Sequence, residues 1–305
     1  MTKLSIITTF YNAEKFIVNC INSITQQKFD PKKIKVEYLL INDCSTDNTL
    51  NIVKAYLQKE KHPDIKYRII DTPENLGCGG ARKFGIDNSN GDYLMFLDAD
   101  DYYIHNNFIA RAVKDITEID ADIVEYGLVY NKKDGKKIPF QIQHDTVIEN
   151  NPIAAVKVLF SDNLIKFNVW TKIIKKSLTD KFPYSEKRTF EDVETIPVWV
   201  YMANKIAIKS SCEINYRVAS KSITTEDSYN TRLGTVQAIA SHFERFKDHK
   251  DVLISMYSRA MIDLDAVLNN KTNHDPMFNK MSKLNRYMLS YIYPETYQEF
   301  TDIIE

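Results

Sequence analysis

Three carboxylates fall within four residues at Asp98-Ala99-Asp100-Asp101, directly after the apolar run Tyr93-Leu94-Met95-Phe96-Leu97. Grouped this closely, they repel one another and resist desolvation unless a cation or solvent compensates. Their spacing suits a hard divalent ion held by one or two carboxylates, with phosphate oxygens completing its shell. The alternative is a solvated turn that caps the next helix. A second candidate is Asn75-Leu76-Gly77-Cys78-Gly79-Gly80-Ala81-Arg82-Lys83-Phe84-Gly85. Glycines at a helix start let backbone approach a phosphate, and Arg82 could reach a diphosphate. The third glycine of a dinucleotide fingerprint would fall at position 82, where arginine stands, so a nicotinamide site is disfavoured.

Two further segments follow the first two β-rich runs: Thr8-Thr9-Phe10-Tyr11-Asn12 and Asn42-Asp43-Cys44-Ser45-Thr46-Asp47. An aromatic near a carboxylate at a sheet edge can stack on a base while the carboxylate accepts its imide N–H. An ordinary N-cap at each helix start is the plainer reading, and the two segments together favour a nucleotide. Phe190-Glu191-Asp192-Val193-Glu194 reads, on its residues alone, as an acidic first helical turn favourable to the helix dipole.

The elements that must position these residues alternate between two periods. Short β-rich runs occur at 4–8, 36–41, 67–71 and 93–97, and helical patterns lie between them. Phe16, Ile17, Cys20, Ile21 and Ile24 share one helical face, with Asn12 available as N-cap; Ile52, Val53, Tyr56 and Leu57 share another behind Thr46 and Asp47. Strands alternating with helices predict a mainly parallel, Rossmann-like α/β sheet flanked by helices, with ligands at the carboxyl ends of its strands. After residue 107 the pattern predicts a helix, then a hairpin of 123–130 and 137–143 around Lys132-Lys133-Asp134-Gly135. Beyond 230 the chain reads as helical, with packing stripes at Val236, Ile239, Ala240, Phe243 and Phe246 and at Leu253, Met256, Ala260 and Leu264.

Composition bounds the function. The 305 residues carry 40 Lys and Arg against 41 Asp and Glu, a balance that argues against a polybasic nucleic-acid groove. The four cysteines lie far apart, without the close spacing of a zinc or redox pair. The apolar runs are too short to span a bilayer, and no signal-like apolar core follows Met1, so a cytoplasmic protein is expected.

Taken in order, the motifs resemble those of family 2 glycosyltransferases with the GT-A fold, over about residues 3–225. The match runs from Thr9-Phe10-Tyr11-Asn12 through Asn42-Asp43-x-Ser45-Thr46-Asp47 and Asn75-x-Gly77-x-x-x-Ala81-Arg82-x-x-Gly85 to Asp98-x-Asp100. Downstream, Trp170-Thr171-Lys172 resembles the family's Trp-x-Lys segment near the acceptor, and Glu191-Asp192 its Glu-Asp motif. Tyr216-Arg217 with Ser222-Ile223-Thr224 resembles its closing segment over the donor. Thr9 stands where many members carry proline, and Lys83 where asparagine is usual. No histidine stands close after Tyr216-Arg217 as an extra metal ligand, which leaves a third protein contact to a metal unassigned.

The resemblance implies a nucleoside-diphosphate-sugar site. Thr9, Asn12, Asn75 and Gly77 would line it; Tyr11 would stack on the base, Asp43 would accept from it, and Arg82 would support the phosphates. Asp98 would contact the ribose, the sugar or the metal, and Asp100 would hold Mn²⁺ or Mg²⁺ bridging the diphosphate. Asp192 would be the general base of an inverting transfer, taking the acceptor hydroxyl's proton. Glu191, Trp170 and Lys172 would lie at the acceptor, with Trp170 either a stacking surface or core. The implied activity is a metal-dependent inverting transfer from a UDP-sugar to a glycan or lipid-linked glycan in surface-polysaccharide assembly, such as capsule. A non-catalytic nucleotide-sugar module and a nucleotidyltransferase are the alternatives. The expected division is a GT-A domain at 1–228 (donor half 1–104, acceptor half 105–228) and a helical region at 229–305. That helical region is a candidate surface for self-association or for contact with the inner face of a membrane.

Overall fold

Leu4, Ile6 and Ile7 are all buried although successive strand residues point to opposite faces, so the first strand is covered on both sides, as expected inside a parallel sheet. That strand is β1 (Thr2–Phe10). It is followed by α1 (Ile17–Thr25), β2 (Ile34–Asn42), α2 (Thr49–Lys59), β3 (Ile65–Asp71), α3 (Gly77–Asp87) and β4 (Tyr93–Phe96). Next come β5 (Tyr102–Tyr103), α4 (Phe108–Ile119), β6 (Ile123–Asn131), β7 (Lys137–Phe140), β8 (Thr146–Glu149) and α5 (Pro152–Ser161). The remainder is β9 (Lys172–Lys175), α6 (Ser177–Lys181), α7 (Glu191–Met202), β10 (Lys205–Arg217), α8 (Tyr229–Ala240), α9 (Lys250–Leu268) and α10 (Pro276–Ile292). The computed structural model describes residues 1–132, 134–140, 142–161, 164–187, 189–218, 229–268 and 276–294; Ser222-Ile223-Thr224 lie outside them.

The sheet runs β3-β2-β1-β4-β9-β6-β10-β5, with β7 on β6 and β8 on β10. Its longest ladders, β1 with β2 and β10 with β6, are parallel. β9 is inserted antiparallel between β4 and β6, so β1, β2, β3, β4, β6 and β10 all point the same way. Their carboxyl ends therefore share one edge of the sheet. The expected hairpin is present as β6 and β7, with Gly135 at φ +78° in the turn.

α1 buries Ile17, Cys20, Ile21 and Ile24. Each large apolar side chain removed from water contributes about 1.5–3 kcal/mol. Asn12 does not cap this helix; it sits at φ +51°, and Phe16 occupies the N-cap position without a side-chain cap bond. α3 lies so close to the sheet that a Cβ on Gly85 would be 2.6 Å from Ile7 Cγ2.

Two compact units result: Met1–Pro152 with Lys166–Ser220, and Ile153–Ile165 with Lys221–Glu305. The segment 153–165, which the sequence assigns to the first domain, groups with the C-terminal helices. In this second unit Val236, Ile239, Phe243, Phe246, Leu253, Met256, Ala260 and Leu264 are buried, so the apolar stripes are core. Lys157 of α5 pairs with Asp251 of α9 at 3.4 Å, and Arg232 of α8 with Asp263 of α9 at 3.1 Å. Among the described residues, no helix is long and apolar enough to cross a membrane.

Candidate active site

The loop after β1 and the loop after β2 are tied together by side chains. Asn12 Oδ1 accepts the Thr46 N–H at 2.8 Å and the Asp47 N–H at 3.2 Å, and the Asn12 N–H is donated to Ser45 Oγ. Asn12 thus spends its amide on the loop scaffold. Tyr11, next to it, is 52% exposed, an open aromatic face at the sheet edge. Thr9 is half-buried at the end of β1.

Asp43 anchors the start of α3. Its Oδ1 accepts from the Leu76 N–H at 2.8 Å and Thr72 Oγ1 at 3.0 Å, and its Oδ2 from the Gly77 N–H at 2.9 Å. Asn75 Nδ2 donates to the Asp43 carbonyl at 3.0 Å. Gly77 sits at φ +75°, a conformation that favours glycine at this turn. A carboxylate offers about four acceptor sites. Asp43 Oδ2 therefore retains acceptor capacity beyond the Gly77 bond.

Arg82 is the hub. Only 5% exposed, it donates from one terminal nitrogen to Asp98 Oδ1 at 2.6 Å and from the other to Glu191 and, at 3.4 Å, the Tyr184 hydroxyl. One guanidinium thereby joins the end of β4 to the first residue of α7. The contact requires close approach of α3 to the segment before α7: a Cβ on Gly79 would lie 2.1 Å from the Lys187 carbonyl and 2.6 Å from that of Ser185. The sequence expectation gave Arg82 to phosphates; in the structure its bonds go to carboxylates.

The acidic groups respond to this enclosure. Burial pushes the Glu191 carboxyl up to about 7, with Arg82 pulling it down, the neighbouring Asp192 pushing it up and the Cys78 thiol donating to it. Asp192 accepts the Val193 N–H on Oδ1 at 2.8 Å. Burial holds its carboxyl above the ordinary aspartate range, opposed by Arg82 and Lys172 and reinforced by Asp98. Burial, then the adjacent Asp98, pushes Asp100 up to about 6. Asp101 is buried; its Oδ1 accepts the Arg217 N–H at 2.8 Å, and its Oδ2 has no partner among the described residues. The Arg217 Nε donates to the Asp100 carbonyl at 3.2 Å, and its guanidinium lies 4.8 Å from the Phe16 ring centre.

The divalent cation implied by the resemblance can be tested on these groups. The Asp100 carboxylate accepts from its own backbone N–H and from no other side chain among the described residues, and a cation beside it would reverse the repulsion from Asp98. Hard carboxylate oxygens suit Mg²⁺ or Mn²⁺. No group of three His, Cys, Asp or Glu forms a cage among the described residues, so phosphate and water would supply the rest of the shell. Asp98 and Asp100 fit that arrangement.

Two of the expected acceptor residues are elsewhere. Lys172 is fully buried on β9, in register with Glu125 on β6; its Nζ lies 2.7 Å from Glu125 Oε2 and donates to the carbonyls of Lys166 and Asn168 at 2.6 and 2.7 Å. With its donors committed, the ammonium cannot meet an acceptor, although its charge is felt at Asp192. Trp170 is 5% exposed and stacks on Tyr216 with centroids 5.1 Å apart and planes at 8°, so of its two readings the structure takes core. Glu191 stands beside Asp192, but its carboxylate faces Arg82. The sequence reading missed Glu125, Tyr184 and Cys78. A charge inside the apolar run Ile123-Val124-Glu125-Tyr126 is the signal that could have found the first, because a buried carboxylate requires a partner.

An open aromatic, an anchored carboxylate and an aspartate pair thus follow the carboxyl ends of neighbouring strands of one α/β sheet, and Arg82 ties the acidic start of α7 to them. The model of the family described as Glycosyl transferase family 2 matches residues 5–184, and the chain belongs to that family. It is 28% identical over 228 residues to the glycosyltransferase GlyG of Streptococcus pneumoniae serotype 4, covering 72% of each chain. It is 27% identical over 270 residues to the poly(ribitol-phosphate) beta-N-acetylglucosaminyltransferase TarS of Staphylococcus aureus, covering 84% of this chain but only 44% of TarS. The structure of S. aureus TarS 1–349 in complex with UDP-GlcNAc superposes with a TM-score of 0.62 at 19% identity, covering 95% of this chain and 91% of that one. The mannosyltransferase PcManGT of Pyrobaculum calidifontis, in complex with GDP-Man and Mn²⁺, gives 0.58 at 14%, covering 97% and 88%. At these identities the two structures speak to the fold alone.

Proposed function

We propose that the chain moves a sugar from a UDP-sugar to a hydroxyl of a glycan acceptor with inversion, in the assembly of a surface polysaccharide. The observation that carries this reading is the Arg82 guanidinium joining Asp98 to Glu191, since it draws the donor edge of the sheet and the acidic start of α7 into one cluster. Tyr11 stacks on the base and Asp43 accepts from it through Oδ2. Thr9, Asn75 and Gly77 shape the backbone around the nucleotide, and Asn12 holds the two loops that carry it. Arg82 acts by orienting the two carboxylates.

Asp98 and Asp100 would hold a divalent cation, and a bound cation would supply charge neutralisation for the leaving diphosphate. Asp192 takes the proton of the acceptor hydroxyl. Its raised pKa suits that work, because a general base is most effective when its pKa lies near the working pH. Two features support a UDP-sugar over other donors: the similarity to TarS and the binding of UDP-GlcNAc in its solved structure.

The reading is tested by thermal unfolding with UDP, GDP, CDP and ADP, each with and without Mn²⁺. A ligand at a hundredfold over its Kd adds about 2.7 kcal/mol to the native state. Stabilisation by UDP only with metal is expected, and Asp100→Ala should remove it. Stabilisation by GDP alone would replace the donor class. Asp192→Asn should keep the UDP shift and lose transfer by orders of magnitude; full transfer in that variant would remove Asp192 from the base role.

A further inference from the structure

The surface of α1 is unusual in its chemistry. The helix and its C-cap read Ile17-Val18-Asn19-Cys20-Ile21-Asn22-Ser23-Ile24-Thr25-Gln26, with no charged residue in a chain that is 27% charged. Asn19, Asn22, Ser23 and Gln26 stand at i, i+3, i+4 and i+7 and so share one face, opposite the buried Ile17, Cys20, Ile21 and Ile24. A helix face that needs only solvation normally carries charges, whereas this one carries amides.

That face forms a wall of a cavity of about 480 Å³. The opposite wall comes from the carboxyl ends of β6 and β10, through Asn131 and Arg217, and from Tyr102 and Asn106 beyond the aspartate cluster. The side chains of Asn19, Gln26, Asn106 and Asn131 have no hydrogen-bonding partner among the described residues, and Asn22 uses only its Oδ1, accepting from Tyr56 at 2.8 Å. Arg217 commits its Nε to the Asp100 carbonyl, and its terminal nitrogens have no hydrogen-bonding partner among the described residues. Among the described residues that line the cavity, none is acidic.

We propose that this cavity is a second carbohydrate subsite, taking a sugar or polyol unit of the acceptor chain that bears a phosphate or carboxylate group. Each amide offers both donors and an acceptor, the combination that hydroxyl groups require. Tyr102, half-exposed at the rim, presents an aromatic surface of the kind on which a sugar face packs. The paired terminal nitrogens of Arg217 match an oxyanion bidentately. The Arg217 Nε bond to the Asp100 carbonyl ties this wall of the subsite to the aspartate cluster. The proposal rests on the glycosyl-transfer reading for its ligand class.

The test is a titration of the full ¹⁵N-labelled chain, read on side-chain amide NMR signals, with glucose 1-phosphate, glycerol 3-phosphate, glucose and inorganic phosphate. Saturable shifts at Asn19, Asn22, Gln26 and Asn131 are expected with the two phosphorylated ligands, and they should persist in saturating UDP. In the double variant Asn19→Ala with Asn131→Ala, binding should weaken at least tenfold while UDP binding is unchanged. Absence of saturable shifts, equal shifts with inorganic phosphate alone, loss of the shifts on adding UDP, or equal affinity in the double variant would each overturn the subsite. Failure of UDP itself to bind would strike the donor reading and leave the amide measurement independent.

Discussion

Two carboxylates stand side by side at the start of α7, and their surroundings divide them. Glu191 is fastened to Arg82, while Asp192 among the described residues bonds only its neighbour's N–H and is partly open. A carboxyl raised to about 7 in the native state, against an ordinary 4.5, holds a proton that the unfolded chain has already released. Its stabilising effect is complete below pH 4.5 and is lost as the pH rises through 7. Glu191→Gln should therefore flatten the decline in Tm between pH 5 and pH 7.5; an unchanged decline would assign it to other groups. The sign for turnover is opposite, since Asp192 must be ionised to accept a proton, and transfer should increase with pH through its raised pKa. Lys172 gives a separate prediction. Removing one member of a buried ion pair costs about 3–5 kcal/mol. Lys172→Met should lower unfolding stability by that amount in a denaturant titration. Lost acceptor affinity at unchanged stability would instead return Lys172 to the cleft. The aspartates at 98, 100 and 101 stood out because three carboxylates within four residues are locally unusual, whereas Asp192, whose surroundings alone read as an acidic helical turn, was singled out only by the resemblance. The resemblance placed Lys172 at the acceptor, because burial of a Trp-x-Lys segment depends on which strands enclose it, and the pairing of β9 with β6 is not written in the local sequence.

Most first-half elements were readable from their periods: β1 to β4, α1 and α2 fall within a few residues of the expected spans. β9 was not, because a four-residue antiparallel strand takes its identity from β4 and β6, some 40–80 residues away in the chain. The N-cap assigned to Asn12 failed for a related reason: its partners, Thr46 and Asp47, belong to the next crossover. The joint between α3 and α7 is equally non-local. Gly79→Ala forces a methyl into the Ser185 and Lys187 carbonyls, and overpacking of this kind costs about 1–3 kcal/mol. Since the same approach brings Arg82 to Glu191, transfer should fall at least tenfold; a variant with wild-type Tm and turnover would show that the two helices dock more loosely than their geometry implies.

At the scale of the whole chain, α5 belongs with helices that begin far downstream. It buries Val156, Leu159 and Phe160, each contributing about 1.5–3 kcal/mol when removed from water. A chain ended at residue 228 keeps α5 but lacks α9, whose Asp251 and Ser255 meet Lys157 and Ser161. Such a truncation should bind a hydrophobic dye and unfold at lower temperature than the full chain, and Val156→Ser with Leu159→Ser should restore its solubility. Dye binding equal to that of the full chain would mean that α5 needs no cover from α9. The same arrangement carries a consequence for synthesis. α5 ends at residue 161 and α9 begins at residue 250, a gap of 250 − 161 = 89 residues. At about 5–20 residues per second, the ribosome takes roughly 4–18 s to reach the start of the helix whose Asp251 and Ser255 meet Lys157 and Ser161. Throughout that interval α5 lacks the later part of the compact unit to which it belongs, and its apolar residues are open to chaperones to the extent that this unit buries them. Codons that slow elongation between residues 162 and 249 lengthen the exposure and lower the soluble yield, with no change to any residue of the finished enzyme.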